Sequence, residues 1–114
     1  MKKVNIIKKN RDFTRIIKNQ QPYRSNSFII YKEKNNDEFK FGISVGTKVG
    51  NAVTRNKLKR QIKSILDKKT YHNNFNCIII IRKDILNKSF IEIEKELFKC
   101  LNNLNIFKEE QNEK

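Results

Sequence analysis

The sequence predicts one small α+β domain, in which a helix, two strands, a second helix, a third strand and a last helix follow one another. Two observations carry this prediction. Apolar residues recur at helical spacing in three stretches, and between these stretches they alternate or run continuously over segments of strand length. The chain has 114 residues, of which 37% are hydrophobic, so it is long enough for one such domain and too short for two.

The first helix is predicted to begin with Asn10 as its N-cap and to end before Pro22, the only proline. Asp12 falls in the first turn, where a negative charge favours the helix dipole. Apolar residues at positions i, i+3 and i+4 form the buried face of this helix: Phe13, Ile16 and Ile17.

Two strands are predicted next, over residues 25–32 and 39–46. The first is rich in Phe, Ile and Tyr, and the second alternates strictly between apolar residues and Lys, Gly or Ser. A polar loop at residues 35–37 separates them. We therefore expect the two strands to run antiparallel, joined by this loop.

The second half of the chain is predicted to hold a helix over residues 51–68, a strand over 76–82 and a last helix. The first of these helices has a buried stripe made of Leu58, Ile62, Ile65 and Leu66. The strand is a continuous run rich in Ile, which indicates burial on both faces. Ser89 and Glu92 have the spacing of a capping box before the last helix.

Charge is unevenly distributed along the chain. The net charge is +14, and residues 91–114 carry six acidic against four basic residues, so the positive excess lies entirely before them. Such an excess on a foldable chain indicates a polyanionic partner rather than a neutral metabolite. We expect a domain over residues 1–108 and a frayed acidic tail over 109–114.

Compartment and cysteine chemistry are constrained by two further features. The longest apolar run, residues 77–81, is far shorter than the roughly 18 to 20 residues of a membrane helix, and the start of the chain lacks a signal-peptide core. We therefore expect a cytoplasmic protein with no membrane partner.

Cys77 and Cys100 lie on apolar segments without metal-ligand spacing, so buried free thiols are expected.

A basic motif at residues 47–63 is the main candidate for function. Gly46 and Gly50 bracket a loop that leads into the second helix, which outlines a phosphate site at the helix N-terminus. The basic positions and the amide among them are Lys48, Arg55, Asn56, Lys57, Lys59, Arg60 and Lys63. A lysine-rich helix face is often only a solvated surface. Here, however, Asp67 is the sole acid against seven basic residues at 51–69, which favours contact with a polyanion.

A resemblance to a known family rests on this stretch. Its segments are Phe41-Gly42-Ile43-Ser44-Val45, Lys48-Val49-Gly50-Asn51-Ala52-Val53, Arg55-Asn56-Lys57, Lys59-Arg60 and Ile62-Lys63. Together they resemble the signature of the bacterial ribonuclease P protein component, and the similarity extends over nearly the whole chain. Two departures stand out: Lys57 where the family usually has Arg, and Ile17 where members often carry an aromatic residue.

The resemblance implies a fold, a partner and a substrate. The fold is a mixed four-stranded sheet with a left-handed β-α-β crossover. The partner is a catalytic RNA that removes the 5′ leader of precursor tRNA, with magnesium held mainly by the RNA and the substrate. The basic motif would face the catalytic RNA, and a cleft formed by Phe13, Ile17 and Tyr31 would take the single-stranded leader, which agrees with the aromatic and basic grooves that bind unpaired nucleotides.

No catalytic or metal-binding residue is expected in the polypeptide. The sole histidine, His72, lies in a polar turn, and the four aspartates are scattered outside the basic motif. A structural RNA-binding protein, such as a ribosomal protein, suits the composition equally well, and only the motif separates the two interpretations. A DNA-binding helix-turn-helix is less suitable, because a strand and a glycine loop precede the basic helix.

Overall fold

The computed structural model describes residues 1–108; the predicted tail at 109–114 lies outside the described residues. Three α-helices and four strands lie in this part of the chain, and all but the short strand at Tyr23–Arg24 were predicted from the sequence pattern, in this order. They are α1 (Asn10–Asn19), β1 (Tyr23–Arg24), β2 (Phe28–Lys34), β3 (Lys40–Val45), α2 (Ala52–Leu66), β4 (Phe75–Ile81) and α3 (Phe90–Asn103). No helix within this part of the chain is long and apolar enough to cross a membrane.

The strands form one mixed sheet in the order β1-β2-β4-β3. β2 is antiparallel to β4, and β3 is parallel to β4. The predicted β2 and β3 therefore run in opposite directions, as expected, but they are not neighbours because β4 is inserted between them. The physical reason is burial: β4 has the most continuous apolar run and occupies a central position, covered on both faces. β3, α2 and β4 form the expected β-α-β unit, whose left-handed sense stays a prediction.

The two faces of the sheet carry two separate apolar clusters. The larger lies beneath α2 and α3 and includes all four predicted stripe residues of α2. The smaller lies beneath α1 and contains Ile7, Ile16, Tyr31 and Ile78. Because α1 covers only part of this second face, space remains beside it. Both cysteines are buried free thiols, as predicted, and burial raises the pKa of the Cys77 thiol.

Two of the three predicted helix starts are confirmed. The Asn51 side chain accepts a hydrogen bond from the Thr54 amide at 2.9 Å. Ser89 and Glu92 form both hydrogen bonds of a capping box. Asn10 is not an N-cap: it is already helical, and the cap position belongs to Lys9, which makes no side-chain cap. α1 instead begins with the amides of Asp12 and Phe13 donating to the Lys9 carbonyl.

Glu96 fastens α3 to the turn between β1 and β2. Its carboxylate accepts hydrogen bonds from Ser25 Oγ at 2.5 Å, the Ser27 amide at 2.8 Å and Lys88 Nζ at 2.6 Å. Burial by itself raises the pKa of Glu96, but these hydrogen bonds outweigh it and lower the pKa to about 2. The stability that this carboxylate supplies is therefore present above about pH 4.5 and is lost as the pH falls towards 2.

We expect Glu96→Gln to lower the free energy of unfolding at pH 7 by about 1 to 3 kcal/mol, because the variant has no charged acceptor for these hydrogen bonds. The difference from the wild type should shrink between pH 4.5 and 2. Urea denaturation at several pH values measures both effects. Glu38→Gln, a change at an exposed position, is the control. An equal loss from both variants would contradict the role of Glu96.

Candidate nucleic-acid interface

A cleft of about 870 Å³ opens between α1, the N-terminal segment, β3 and α2. Phe13 and Ile17 of α1 line one side of it. Lys59 and Lys63 of α2 line another. The structure thus brings together two groups of residues that the sequence analysis placed in separate sites. A single chain of nucleotides in this cleft would meet apolar surfaces and cations at once.

The N-terminal segment completes the cleft. The Ile7 amide donates to the Phe41 carbonyl at 2.8 Å, and the Asn5 side chain donates to the Phe39 carbonyl at 2.8 Å. The segment therefore lies along the free edge of β3 and brings Lys8 into the cleft lining. Sequence reasoning missed Lys8 as a cleft residue, because the pair of isoleucines between Asn5 and Lys8 is too short to predict strand-like pairing.

Phe13 occupies its place because Gly42 has no side chain. A Cβ atom at Gly42 would come within 2.7 Å of Phe13 Cζ and 2.9 Å of Ile78 Cδ1, so the ring packs directly on the sheet. Phe13 is half-buried and belongs both to the small apolar cluster and to the cleft wall. The packing fixes the ring before any ligand arrives.

Ile17 and Tyr31, the other predicted cleft residues, differ in position. Ile17 is half-buried and lines the cleft. Tyr31 does not line it: the side chain is only 9% exposed and packs beneath α1 with Ile16 and Ile78. The prediction for Tyr31 is corrected accordingly. α1 covers Tyr31 because Ile16, on the same helix, is fully buried against this face of the sheet.

The predicted basic motif forms an exposed surface. Each of its seven residues is exposed or half-buried: Lys48, Arg55, Asn56, Lys57, Lys59, Arg60 and Lys63. Within residues 1–108, none of the six cations among them forms an ion pair, whereas Lys40, Lys68 and Lys88 each pair with a carboxylate. Only Lys59 and Lys63 reach the cleft, so the others extend the positive surface beyond it.

At the predicted phosphate site before α2, two of the backbone N–H groups already have partners within the protein. The Thr54 amide donates to the Asn51 side chain, and the Val49 amide donates to the Gly46 carbonyl at 3.1 Å. Lys48 in the same loop is exposed. In the described part of the chain, no group of three or more His, Cys, Asp and Glu side chains is placed to hold a metal ion.

An α+β fold whose cleft combines apolar side chains with lysines, beside cations that form no ion pair within residues 1–108, indicates a nucleic-acid-binding protein. Comparison with known proteins makes the class specific. The profile of the family described as Ribonuclease P matches residues 1–105. The chain belongs to this ribonuclease P protein family.

Individual relatives agree over most of their length. The chain is 45% identical to the ribonuclease P protein component of Mesoplasma florum over 105 residues, covering 89% of this chain and 96% of the relative. The solved RNase P protein of Staphylococcus aureus has 34% identity and a TM-score of 0.82, covering 91% and 98% of the two chains. The protein from Thermotoga maritima has 28% identity and a TM-score of 0.77, covering 85% and 94%.

Family membership decides between the interpretations that the sequence left open. The chain has the role of the protein subunit of a ribonucleoprotein endoribonuclease, and its RNA partner is the ribonuclease P RNA. The family match therefore favours this role over that of a structural RNA-binding protein such as a ribosomal protein. The mixed four-stranded sheet predicted from the resemblance is confirmed, with matching element order in the solved relatives.

Proposed function

We propose that this subunit binds the single-stranded 5′ leader of precursor tRNA in the cleft, while the exposed flank of α2 faces the catalytic RNA. The observation that carries the proposal is the meeting of Phe13 and Ile17 with Lys59 and Lys63 around one cleft. A strand of unpaired nucleotides presents base faces and phosphates alternately, so it needs both kinds of surface in reach.

The catalytic RNA and the protein have different roles in this proposal. In this proposal the catalytic RNA carries out the hydrolysis, with magnesium held mainly by RNA and substrate. The protein supplies positive charge where two RNA molecules approach each other. A chain of net charge +14 replaces part of the metal that otherwise screens the repulsion between phosphates.

Reconstitution with the cognate ribonuclease P RNA tests the proposal. We expect the protein alone to leave precursor tRNA intact, and the holoenzyme to reach half-maximal cleavage at a lower magnesium concentration than the RNA alone. We also expect the holoenzyme, compared with the RNA alone, to gain affinity for precursor tRNA but not for mature tRNA. An equal gain for both tRNAs would contradict leader binding. Leader removal by highly purified protein without RNA would contradict the assignment of hydrolysis to the RNA.

A further inference from the structure

A second hollow, of about 390 Å³, adjoins the cleft. Ile6, Ile7 and Lys8 line both of them, so Lys8 lies at the junction between the cleft and the second hollow. Lys59 and Lys63 line only the first cleft. The second hollow is therefore separated from α2 and extends towards the start of β4 at Asn76.

Hydrogen bonds within the protein hold the polar side chains on one wall of this hollow in place. Asn76 is only 9% exposed; its Nδ2 donates to Glu33 at 2.7 Å and its Oδ1 accepts from Asn35 at 2.8 Å. Arg15 Nη1 donates to the other oxygen of Glu33 at 2.7 Å. These hydrogen bonds join β2, β4 and α1, so the wall needs little reorganisation when a ligand binds.

The remaining groups offer three kinds of contact. Ile7 and Ile16 are buried and provide an apolar floor. Lys8 and Lys9 are exposed at the rim and, among residues 1–108, form no ion pair. Asp12 also lines the hollow, and in the same part of the chain its carboxylate has neither an ion pair nor a side-chain hydrogen bond.

This combination fits a nucleotide better than a simple anion. A free phosphate would use only the cations of the lining and would leave the apolar floor and the Asp12 carboxylate without a contact. A nucleotide instead places its base on the apolar floor, its phosphate near the lysines and a base N–H against the carboxylate. Adenine, cytosine and guanine carry exocyclic amino groups that donate to a carboxylate. Uracil offers only its N3–H, which lies between two carbonyl oxygens that repel a carboxylate.

We propose that the second hollow binds a leader nucleotide and prefers a base with an exocyclic amino group over uracil. This inference rests on the proposed leader binding in the cleft. A leader that leaves the cleft past Lys8 enters the second hollow next. Because α2 faces the catalytic RNA in the proposed function, the nucleotide in the second hollow lies farther from the cleavage site, towards the 5′ end of the leader.

Holoenzyme affinity for precursor tRNAs of stepwise increasing leader length tests the site. We expect the affinity to rise while the cleft fills and to rise again when the leader reaches the second hollow. Lys9→Ala should reduce the second rise alone, by about threefold to tenfold. Lys18→Ala, an exposed lysine of α1 outside both hollows, should leave both rises unchanged.

Base preference is tested by placing uridine at each leader position in turn. In the wild type, uridine at one upstream position should weaken binding by about tenfold to a hundredfold, as expected when a hydrogen bond to a charged group is missing. Asp12→Ala should abolish this difference, and Asp84→Ala should preserve it. Circular dichroism confirms that each variant is folded, and Lys9→Ala provides an independent test if Asp12→Ala is not.

The outcomes separate this inference from the proposed function. If the affinity stops rising once the cleft is filled, the second hollow is unoccupied and the inference is overturned, while leader binding in the cleft stands. If both rises occur but Asp12→Ala still discriminates against uridine, the assigned base contact is overturned. If leader length has no effect at all, the proposed function fails together with the inference.

Discussion

Replacing Lys59 and Lys63 together with Ala should weaken holoenzyme assembly and binding of precursor tRNA. Both lysines line the cleft, and within residues 1–108 neither has an acidic partner. Removing one cation from a phosphate lowers the steepness of the salt dependence by about 0.7 to 0.9 in log–log slope, so the pair should lower it by roughly 1.4 to 1.8. Titrations at several salt concentrations measure this slope. The free energy of unfolding should change little, by about 0.5 kcal/mol or less for each substitution.

Lys95 and Lys99 of α3 provide a closely matched control. They have the same i, i+4 spacing and the same charge, but they line neither the cleft nor the second hollow. The α3 surface around them also carries carboxylates, including Glu92. Their double replacement should affect the salt slope much less. Equal losses from both pairs would show that only total charge matters and that the α2 surface is not a specific site.

The sheet shows how far periodicity predicts a fold. Alternation predicted β3, and the continuous Ile run predicted β4, because each pattern reports which faces of a strand are buried. The strand order depends instead on which buried faces meet in three dimensions. No local pattern records that β4 enters between β2 and β3, so the family resemblance, rather than periodicity, predicted the mixed sheet.

The site was predictable to the extent that it depends on single elements. Helical spacing placed Lys59 and Lys63 on one flank of α2, and the structure confirms that they lie together. Their position opposite Phe13 depends on the packing of α1 against the sheet and on the close approach at Gly42, which are tertiary features. Tyr31 was misplaced for the same reason: its strand position says nothing about the helix that covers it.

Ile17→Phe should increase the affinity of the holoenzyme for precursor tRNA with a leader of several nucleotides. Ile17 is half-buried and lines the cleft, so a larger ring has space to extend towards the ligand. An aromatic face stacks on a base, which contributes on the order of 1 to 3 kcal/mol in single-strand binding. Affinity for mature tRNA should stay the same, because it has no leader to stack on this ring.

Ile16→Phe is the control for added volume on the same helix. Ile16 is fully buried, so the extra ring should overfill the small apolar cluster and lower the free energy of unfolding by roughly 1 to 3 kcal/mol without a gain in leader affinity. Thermal melting of both variants, measured beside their affinities for precursor and mature tRNA, distinguishes the two positions. If Ile17→Phe loses as much stability as Ile16→Phe and gains no leader affinity, Ile17 belongs to the core, and the apolar wall of the cleft is Phe13 alone on α1.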